Sequence, residues 1–164
     1  MDIRAALDEV IKAYGHYIIY VRRDLKFRCE CYSHKNGEAN AKCKKCLGTG
    51  YAVAFERIKV RSVVAASPSS EVLVPAGTKV TPTTIYYVPE RYHPKDGDLI
   101  LEVEWDESLV KRIRKKHFIS VADPKLGLEG RIEFYQVHCK FEEGRESDDK
   151  TIASSSISSD ASEL

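Results

Sequence analysis

Alternating apolar and polar residues recur along much of the chain and predict β-strands. The clearest pattern covers residues 98–105, where every second position is apolar: Leu99, Leu101, Val103 and Trp105. This period of two is typical of a half-buried strand, whose successive side chains point to opposite faces. Stretches rich in aromatic and β-branched residues predict five further strands, at 16–22, 51–64, 84–88, 117–121 and 130–141.

A helical spacing of apolar residues occurs near the start of the chain. Residues 2–14 carry apolar side chains at intervals of three and four, and Gly15 suits the end of a helix. The apolar stripe consists of Ile3, Leu7, Val10, Ile11 and Tyr14. Two roles are open for it: packing against the strands, or docking onto a neighbouring chain.

A second helical stretch, of one or two turns, is predicted within residues 106–116, with Asp106 or Ser108 as its cap. Its end is the densest basic run of the chain, 111–116, with five charges in six residues. The run is expected to be a solvated surface, a contact with DNA in a channel, or a contact with an acidic neighbouring subunit. The cations predicted to receive such a neighbour are Arg112, Arg114, Lys115 and Lys116.

The connections between these strands are too short for the helical crossovers that parallel sheets need. The predicted fold is therefore mainly β: a small antiparallel β-barrel or sandwich with a short N-terminal helix and an inserted cysteine finger. We expect the helix at 1–15 and the β domain at 16–142, with the finger at 28–50 and a tail at 143–164.

The tail differs in composition from the rest of the chain. Residues 143–164 contain six acidic and two basic residues, seven serines and no aromatic residue. Such a segment buries too little apolar surface to offset the entropy of ordering it, so we expect it to be flexible when isolated. The remaining body carries a net charge of +5 against −4 for the tail.

Apolar runs bear on where the protein resides. The longest unbroken runs, 17–21 and 51–55, have five residues each, and a membrane span needs about 20. No transmembrane helix is predicted, and the first residues lack the layout of a signal peptide. We expect a reducing cytoplasm, where cysteines are more often metal ligands than disulfides.

Four of the five cysteines form two close pairs, Cys29 with Cys31 and Cys43 with Cys46, and glycines follow the second pair. Two such pairs joined by a loop suit a tetrahedral ion, so one Zn²⁺ held by Cys29, Cys31, Cys43 and Cys46 is predicted. Because the protein fills all four positions, the ion is expected to be structural. A redox pair, a disulfide and an iron–sulfur cluster fit the spacing and surroundings less well.

The remaining cysteine and the charged residues predict no further chemistry. Cys139 is expected to be a small core residue, and Lys and Arg side chains around the finger are expected to offset the negative charge of a four-thiolate zinc site. Asp96 and Asp98 flank a turn glycine, while Glu102 and Glu104 are expected on a solvated strand face. No catalytic signature occurs, so neither an enzyme nor a small-molecule substrate is predicted.

Two resemblances follow from these motifs. Residues 43–50 match the C-x-x-C-x-G-x-G repeat of DnaJ-class chaperones, which implies zinc but not chaperoning. Over residues 15–141, the run 15–22, the finger, and the stretches 85–87, 94–98 and 130–134 resemble a group of tailed-phage virion proteins.

This second resemblance implies a neck protein, one of the ring-forming head–tail connectors, adaptors or stoppers of a bacteriophage. Its expected partners are further copies in a homo-oligomeric ring, the neighbouring portal or adaptor and tail proteins, and DNA in the channel, with no membrane. Its expected location is the virion, after synthesis in the host cytoplasm. The alternative from another class is a nucleic-acid-binding zinc-ribbon protein, because lysines flank the finger.

Overall fold

A computed structural model describes residues 2–65 and 83–141, and the predicted tail at 143–164 lies outside these ranges. One helix, α1 (Ile3–Tyr14), precedes eight strands. The strands are β1 (His16–Arg28), β2 (Tyr32–Ser33), β3 (Glu38–Ala39), β4 (Tyr51–Ala65), β5 (Thr83–Pro89), β6 (Leu99–Asp106), β7 (Leu109–Leu126) and β8 (Ile132–Phe141).

Six of these strands form an antiparallel ring in the order β1-β4-β5-β8-β7-β6. β1 pairs with β4 over most of its length, and it closes the ring against β6 through three residue pairs, from Ile19 with Leu101 to Val21 with Leu99. The predicted class, mainly β and antiparallel with a short N-terminal helix, is confirmed. The two short strands β2 and β3 pair only with each other, inside the finger.

The interior of the ring is a continuous apolar cluster to which all six strands contribute. Cys139 lies in it and is fully buried, which confirms its prediction as a core residue. The other buried members are Ile18, Tyr20, Ile58, Val60, Tyr86, Val88, Ile100, Ile119 and Val137. Burying so many large side chains supplies the main driving force for folding this part of the chain.

A second apolar cluster lies on the outside of the ring, and we call it the outer cluster. It consists of Ile19, Val21, Leu99 and Leu101, which are at most 1% exposed. Partly buried side chains pack over it, including Leu47 of the finger and Trp105. Because side chains alternate along a strand, residues 18–21 of β1 and 99–101 of β6 are therefore buried on both faces.

The predicted helical turn within 106–116 is wrong, because these residues form a β-hairpin. β6 ends at Asp106, Glu107 adopts a positive φ of 54° in the turn, and β7 begins at Leu109. Val110 and Ile113 pack against the outer cluster, and this burial outweighs the helix preference of the many Lys and Arg residues around them.

The solvated face predicted for Glu102 is also wrong. The Tyr86 hydroxyl donates to Glu102 Oε1 at 2.6 Å, and His117 Nε2 lies 3.6 Å from the same oxygen. His117, whose imidazole lies beside the carboxylate, lowers the pKa of Glu102 to about 2, with the Tyr86 hydroxyl adding to the effect. Asp98, predicted beside a turn glycine at the start of a strand, is 2% exposed and accepts from the Tyr20 hydroxyl at 2.5 Å.

Helix α1 lies against the ring through part of its apolar stripe. Ile11 is buried, whereas Ile3, Val10 and Tyr14 are 45%, 44% and 69% exposed. Lys59 and Arg61 of β4 donate to the Lys12 and Tyr14 carbonyls of the last turn, where cations also interact favourably with the helix dipole. Across the described ranges, no helix combines the length and the hydropathy of a membrane span.

The end of the helix requires a glycine at position 15, because the chain passes close to other backbone there. A Cβ on this residue would collide with the Ile11 carbonyl oxygen and lie 2.9 Å from that of Val60. The Gly15 amide donates to the Ile11 carbonyl at 2.8 Å, so the turn into β1 also satisfies one of the terminal carbonyls of the helix.

Candidate metal centre

The finger emerges between the ends of two paired barrel strands. β1 ends at Arg28 and β4 begins at Tyr51, and these two residues are opposite each other in the ladder. The Cys29 amide donates to the Gly50 carbonyl at 3.0 Å, which continues the pairing by one step beyond the strands. The barrel thus fixes both ends of the finger beside each other.

All four predicted ligands lie together in this finger. The sulfur atoms of Cys29, Cys31, Cys43 and Cys46 are within 4.8 Å of one another. Cys29 Sγ lies 3.8 Å from Cys43 Sγ, and Cys31 Sγ lies 3.5 Å from Cys46 Sγ. Four sulfurs at about 2.3 Å from a tetrahedral ion would be about 3.8 Å apart. The arrangement therefore fits one metal ion.

These sulfur separations also bear on the disulfide alternative. A disulfide bond requires an S–S distance of about 2.05 Å, and the four thiols of the finger are free. Cys46 is buried, the other three are half-buried, and the four sulfurs lie close to one another. With four protein ligands converging, no coordination position is left for a substrate or a catalytic water.

Glycines shape the turn that carries the second pair of cysteines. The Thr49 amide donates to the Cys46 carbonyl at 3.0 Å, and the Gly50 amide points at Cys46 Sγ at 3.4 Å. Gly48 has a φ of +85°, and a Cβ there would lie 2.9 Å from the Ala41 carbonyl oxygen. A side chain would thus be strained by both the backbone angle and the close approach.

The loop between the cysteine pairs is a small hairpin followed by a capped turn. Tyr32 and Ser33 of β2 pair with Ala39 and Glu38 of β3. Beyond β3, the Asn40 carbonyl accepts from the Cys43 amide at 3.0 Å. The Asn40 side-chain oxygen accepts from the Lys42 amide at 2.9 Å. These bonds return the chain to the first cysteine pair.

The thiols perturb one another. The backbone N–H of Cys46, directed at the Cys43 sulfur, lowers the pKa of Cys43 to about 7. Burial and the neighbouring Cys46 thiol raise the pKa of Cys31. Without a cation, the Cys31 thiol therefore keeps its proton at neutral pH. A divalent ion removes this constraint because thiolates are the form that binds metal.

The cations near the finger have more specific partners than the sequence indicated. The Arg28 guanidinium lies between the Tyr32 and Tyr51 rings, 4.2 and 4.1 Å from their centroids. Lys45 pairs with Glu30 at 2.5 Å on the surface. Arg28 therefore stiffens the base of the finger by stacking, an interaction that spacing along the chain does not reveal.

Two contacts at Leu47 hold the finger against the barrel. Leu47, which follows Cys46 and has a positive φ of 54°, packs on the outer cluster. Lys116 of β7 donates from Nζ to the Leu47 carbonyl at 2.7 Å. Lys116 belongs to the basic run of the sequence, and this contact assigns it a structural role that charge patterning did not reveal.

Two comparisons with known proteins were made. A scan against protein-family models found no match, and a search of curated proteins found no similar sequence.

Proposed function

We propose that the finger holds one structural Zn²⁺ and that the protein is a non-enzymatic subunit of a tailed-phage virion, part of a head–tail neck ring. The convergence of four thiols into a closed tetrahedral set at the edge of a β-barrel carries the zinc part of the proposal. The sequence resemblance to phage neck proteins supports the virion part.

Zinc suits the four sulfurs for chemical reasons. Thiolate ligands favour zinc or iron–sulfur clusters, and a compact set of four sulfurs around one centre is the usual structural zinc site. The finger has few large apolar side chains of its own, so a metal would supply folding free energy that packing does not.

Exposed apolar side chains on separate elements support assembly into a ring. On α1, Val10 and Tyr14 are 44% and 69% exposed, and at the base of the finger Leu25 and Phe27 are each 63% exposed. A ring subunit uses two different surfaces, one for each neighbour. Large exposed apolar residues at distinct places can be buried in such contacts.

The proposed partners follow the resemblance: further copies of this chain, the portal or adaptor and tail proteins above and below the ring, and DNA passing through the channel. A zinc-braced finger is rigid enough to serve as a contact surface. The proposed location is the virion, with synthesis in the host cytoplasm.

Light scattering of the zinc-loaded full chain over a range of concentrations tests the ring, with electron microscopy of any assembled species. We expect a closed oligomer, and Phe27→Ser to weaken it by about tenfold or more, as for a buried contact residue. Lys26→Ser, on the neighbouring position of the same strand, is the matched control. A chain that stays monomeric with and without phage portal protein would contradict the proposal.

A nucleic-acid-binding zinc ribbon is the second candidate, because the exposed cations Lys111, Arg112, Arg114 and Lys115 lie on one strand. Fluorescence anisotropy with a duplex at several salt concentrations separates the two. A monomer whose DNA affinity falls steeply with salt would favour this candidate. Each neutralised phosphate steepens the slope of log affinity against log salt concentration by about 0.9.

A further inference from the structure

The pairing that closes the ring is short, and an aromatic side chain extends it. β1 and β6 share three residue pairs, and the last of these toward the start of β1 joins Ile19 to Leu101. Two residues further out the donor is a side chain, because Trp105 Nε1 donates to the Tyr17 carbonyl at 3.1 Å. Tyr17 alternates in step with Ile19 of the outer cluster, on which Trp105 also packs. Both aromatic side chains therefore lie on the outside of the barrel.

Arg57 of β4 contacts both of these aromatic side chains. It is paired with Ile19 in the ladder, which places its side chain on the same outer face. Its guanidinium carbon lies 4.2 Å from the centroid of the Tyr17 ring and 4.4 Å from that of the Trp105 ring. We call Tyr17, Arg57 and Trp105 the arginine–aromatic patch. Since two aromatic rings already lie against the guanidinium, the interaction still open to it is hydrogen bonding through its N–H groups.

The N–H groups of Arg57 have no acceptor within the described part of the chain. Its Nε is buried there without a hydrogen-bond partner, and no described carboxylate forms an ion pair with it. Arg22 of β1 differs, because its Nε donates to Glu56 at 2.9 Å. A guanidinium keeps its charge at physiological pH, and a buried donor without an acceptor is unfavourable. Arg57 as a whole is half-buried, so its terminal nitrogens are within reach of a partner.

Positive charge accumulates beside the patch. Lys59 and Arg61 follow Arg57 on the same face of β4. Their described partners are main-chain carbonyls of α1, since Lys59 donates to Lys12 and Arg61 donates to Tyr14. The partial negative charge at the C-terminus of a helix amounts to about half a unit, so it offsets only part of the charge of these cations. An anion is therefore the kind of partner that suits this surface.

A carboxylate of a protein fits the patch better than the backbone of a nucleic acid. Lys59 and Arg61 already bond to α1, so Arg57 is the cation with open donors here, whereas binding along phosphates uses several cations. A carboxylate matches the planar fork of a guanidinium through two parallel hydrogen bonds. Tyr17 is 44% exposed and Trp105 is half-buried. Tyrosine, tryptophan and arginine are also the residues enriched at the centres of protein–protein interfaces.

We propose that the arginine–aromatic patch docks an acidic segment of another protein, in which an aspartate or glutamate carboxylate pairs with Arg57. This inference goes beyond the proposed function and does not depend on it. The Tyr17 and Trp105 side chains would exclude water from the ion pair, and an ion pair is stronger where water is excluded.

Fluorescence of the full chain tests this docking, because Trp105 is the single tryptophan and lies at the site. The probe is a hexaglutamate peptide, with hexaglutamine as its neutral counterpart. We expect a saturable change of Trp105 emission with hexaglutamate and none with hexaglutamine. R57Q should weaken binding by about tenfold, because it removes a charged hydrogen-bond donor. R61Q removes the same charge from the same face of β4 and is the matched control, whose affinity should stay close to that of the parent.

R57K is the second variant in case R57Q does not fold, which circular dichroism would show. It keeps the charge but not the planar fork, and should bind hexaglutamate about threefold more weakly than the parent. No saturable change in the parent, or equal affinity in the Arg57 variants and R61Q, would overturn the proposal. Tighter binding of a single-stranded oligothymidylate than of hexaglutamate would assign the patch to nucleic acid and overturn it as well. Emission that changes with protein concentration alone would assign the patch to a second copy, with the same consequence.

Discussion

The barrel and the finger reach an ordered state by different means. In the barrel, large apolar residues such as Tyr20 and Ile100 are fully buried inside a six-stranded ring. In the finger, Cys46 is the one buried hydrophobic residue. Its order rests on backbone turns, one stacked arginine and four converging sulfurs. The comparison indicates that the chain relies on apolar packing in its long strands, whereas its short finger relies on turns and on four sulfurs that suit the proposed metal.

Loss of one sulfur is expected to have the largest effect. Structural zinc contributes on the order of 10 kcal/mol of apparent binding free energy in small finger domains. Cys46→Ser should therefore abolish stoichiometric metal binding, measured by elemental analysis, and expose finger amides to exchange. The barrel should keep its β circular dichroism.

The fifth cysteine is the matched control for that experiment. Cys139→Ala also removes a thiol, but from the barrel core, and should leave one metal per chain. If both variants kept their metal, or if the barrel unfolded with the finger in Cys46→Ser, the contrast between the two regions would fail.

The reverse perturbation, Ile100→Ala, tests the barrel. Ile100 is fully buried in the apolar interior of the ring, so truncation should lower the free energy of unfolding by about 2–5 kcal/mol. Denaturant unfolding measures this loss. Metal content should not change, because the four sulfurs lie outside the barrel core.

Acid should affect the two regions through different groups. The pKa of Glu102 is lowered from 4.5 to about 2 in the folded protein, so its stabilising effect is complete above the unfolded pKa. It is lost as the pH falls from about 4.5 to about 2, and amounts to at most about 3 kcal/mol. Glu102→Gln should flatten the dependence of unfolding free energy on pH in this window.

The finger is expected to respond to acid through the proposed metal. Protonation of the thiolates would release the ion. The loss of metal with falling pH, measured with a colorimetric chelator, should therefore be the same for Glu102→Gln and the parent. A shift of metal release in this variant would show that Glu102 also acts on the finger.

The smallest effect is expected at the contact between the two regions. Lys116→Met keeps the aliphatic stem but removes the hydrogen bond to the Leu47 carbonyl, a loss of about 0.5–1.5 kcal/mol. Exchange of the amides at 46–48 should accelerate. Lys115→Met, at an exposed neighbouring position, is the control and should leave these amides unchanged.

Much of the fold could be predicted because its signals are local. The alternation from Leu99 to Trp105 identified β6, and the spacing of Cys29, Cys31, Cys43 and Cys46 identified the sulfurs that converge. The period of apolar residues and the spacing of the cysteines are both set within short stretches of sequence, and both correspond to features of the structure.

The errors came from contacts between residues distant in the chain. The sequence around Lys111 favours a helix by propensity, and only the packing of Val110 and Ile113 on the outer cluster shows why it is a strand. Glu102 alternates with apolar residues as a solvated side chain would. Its partners Tyr86 and His117 lie on two other strands, and no local pattern points to them.

The position of the finger between β1 and β4 has a mechanical consequence. A tensile load on the finger, directed along these two strands, pulls both away from the ring together. On their other sides, β1 pairs with β6 and β4 pairs with β5. These two pairings then resist in shear, because the hydrogen bonds of each pairing are loaded together rather than one after another. The finger can therefore transmit force into the barrel without first separating the two strands that carry it.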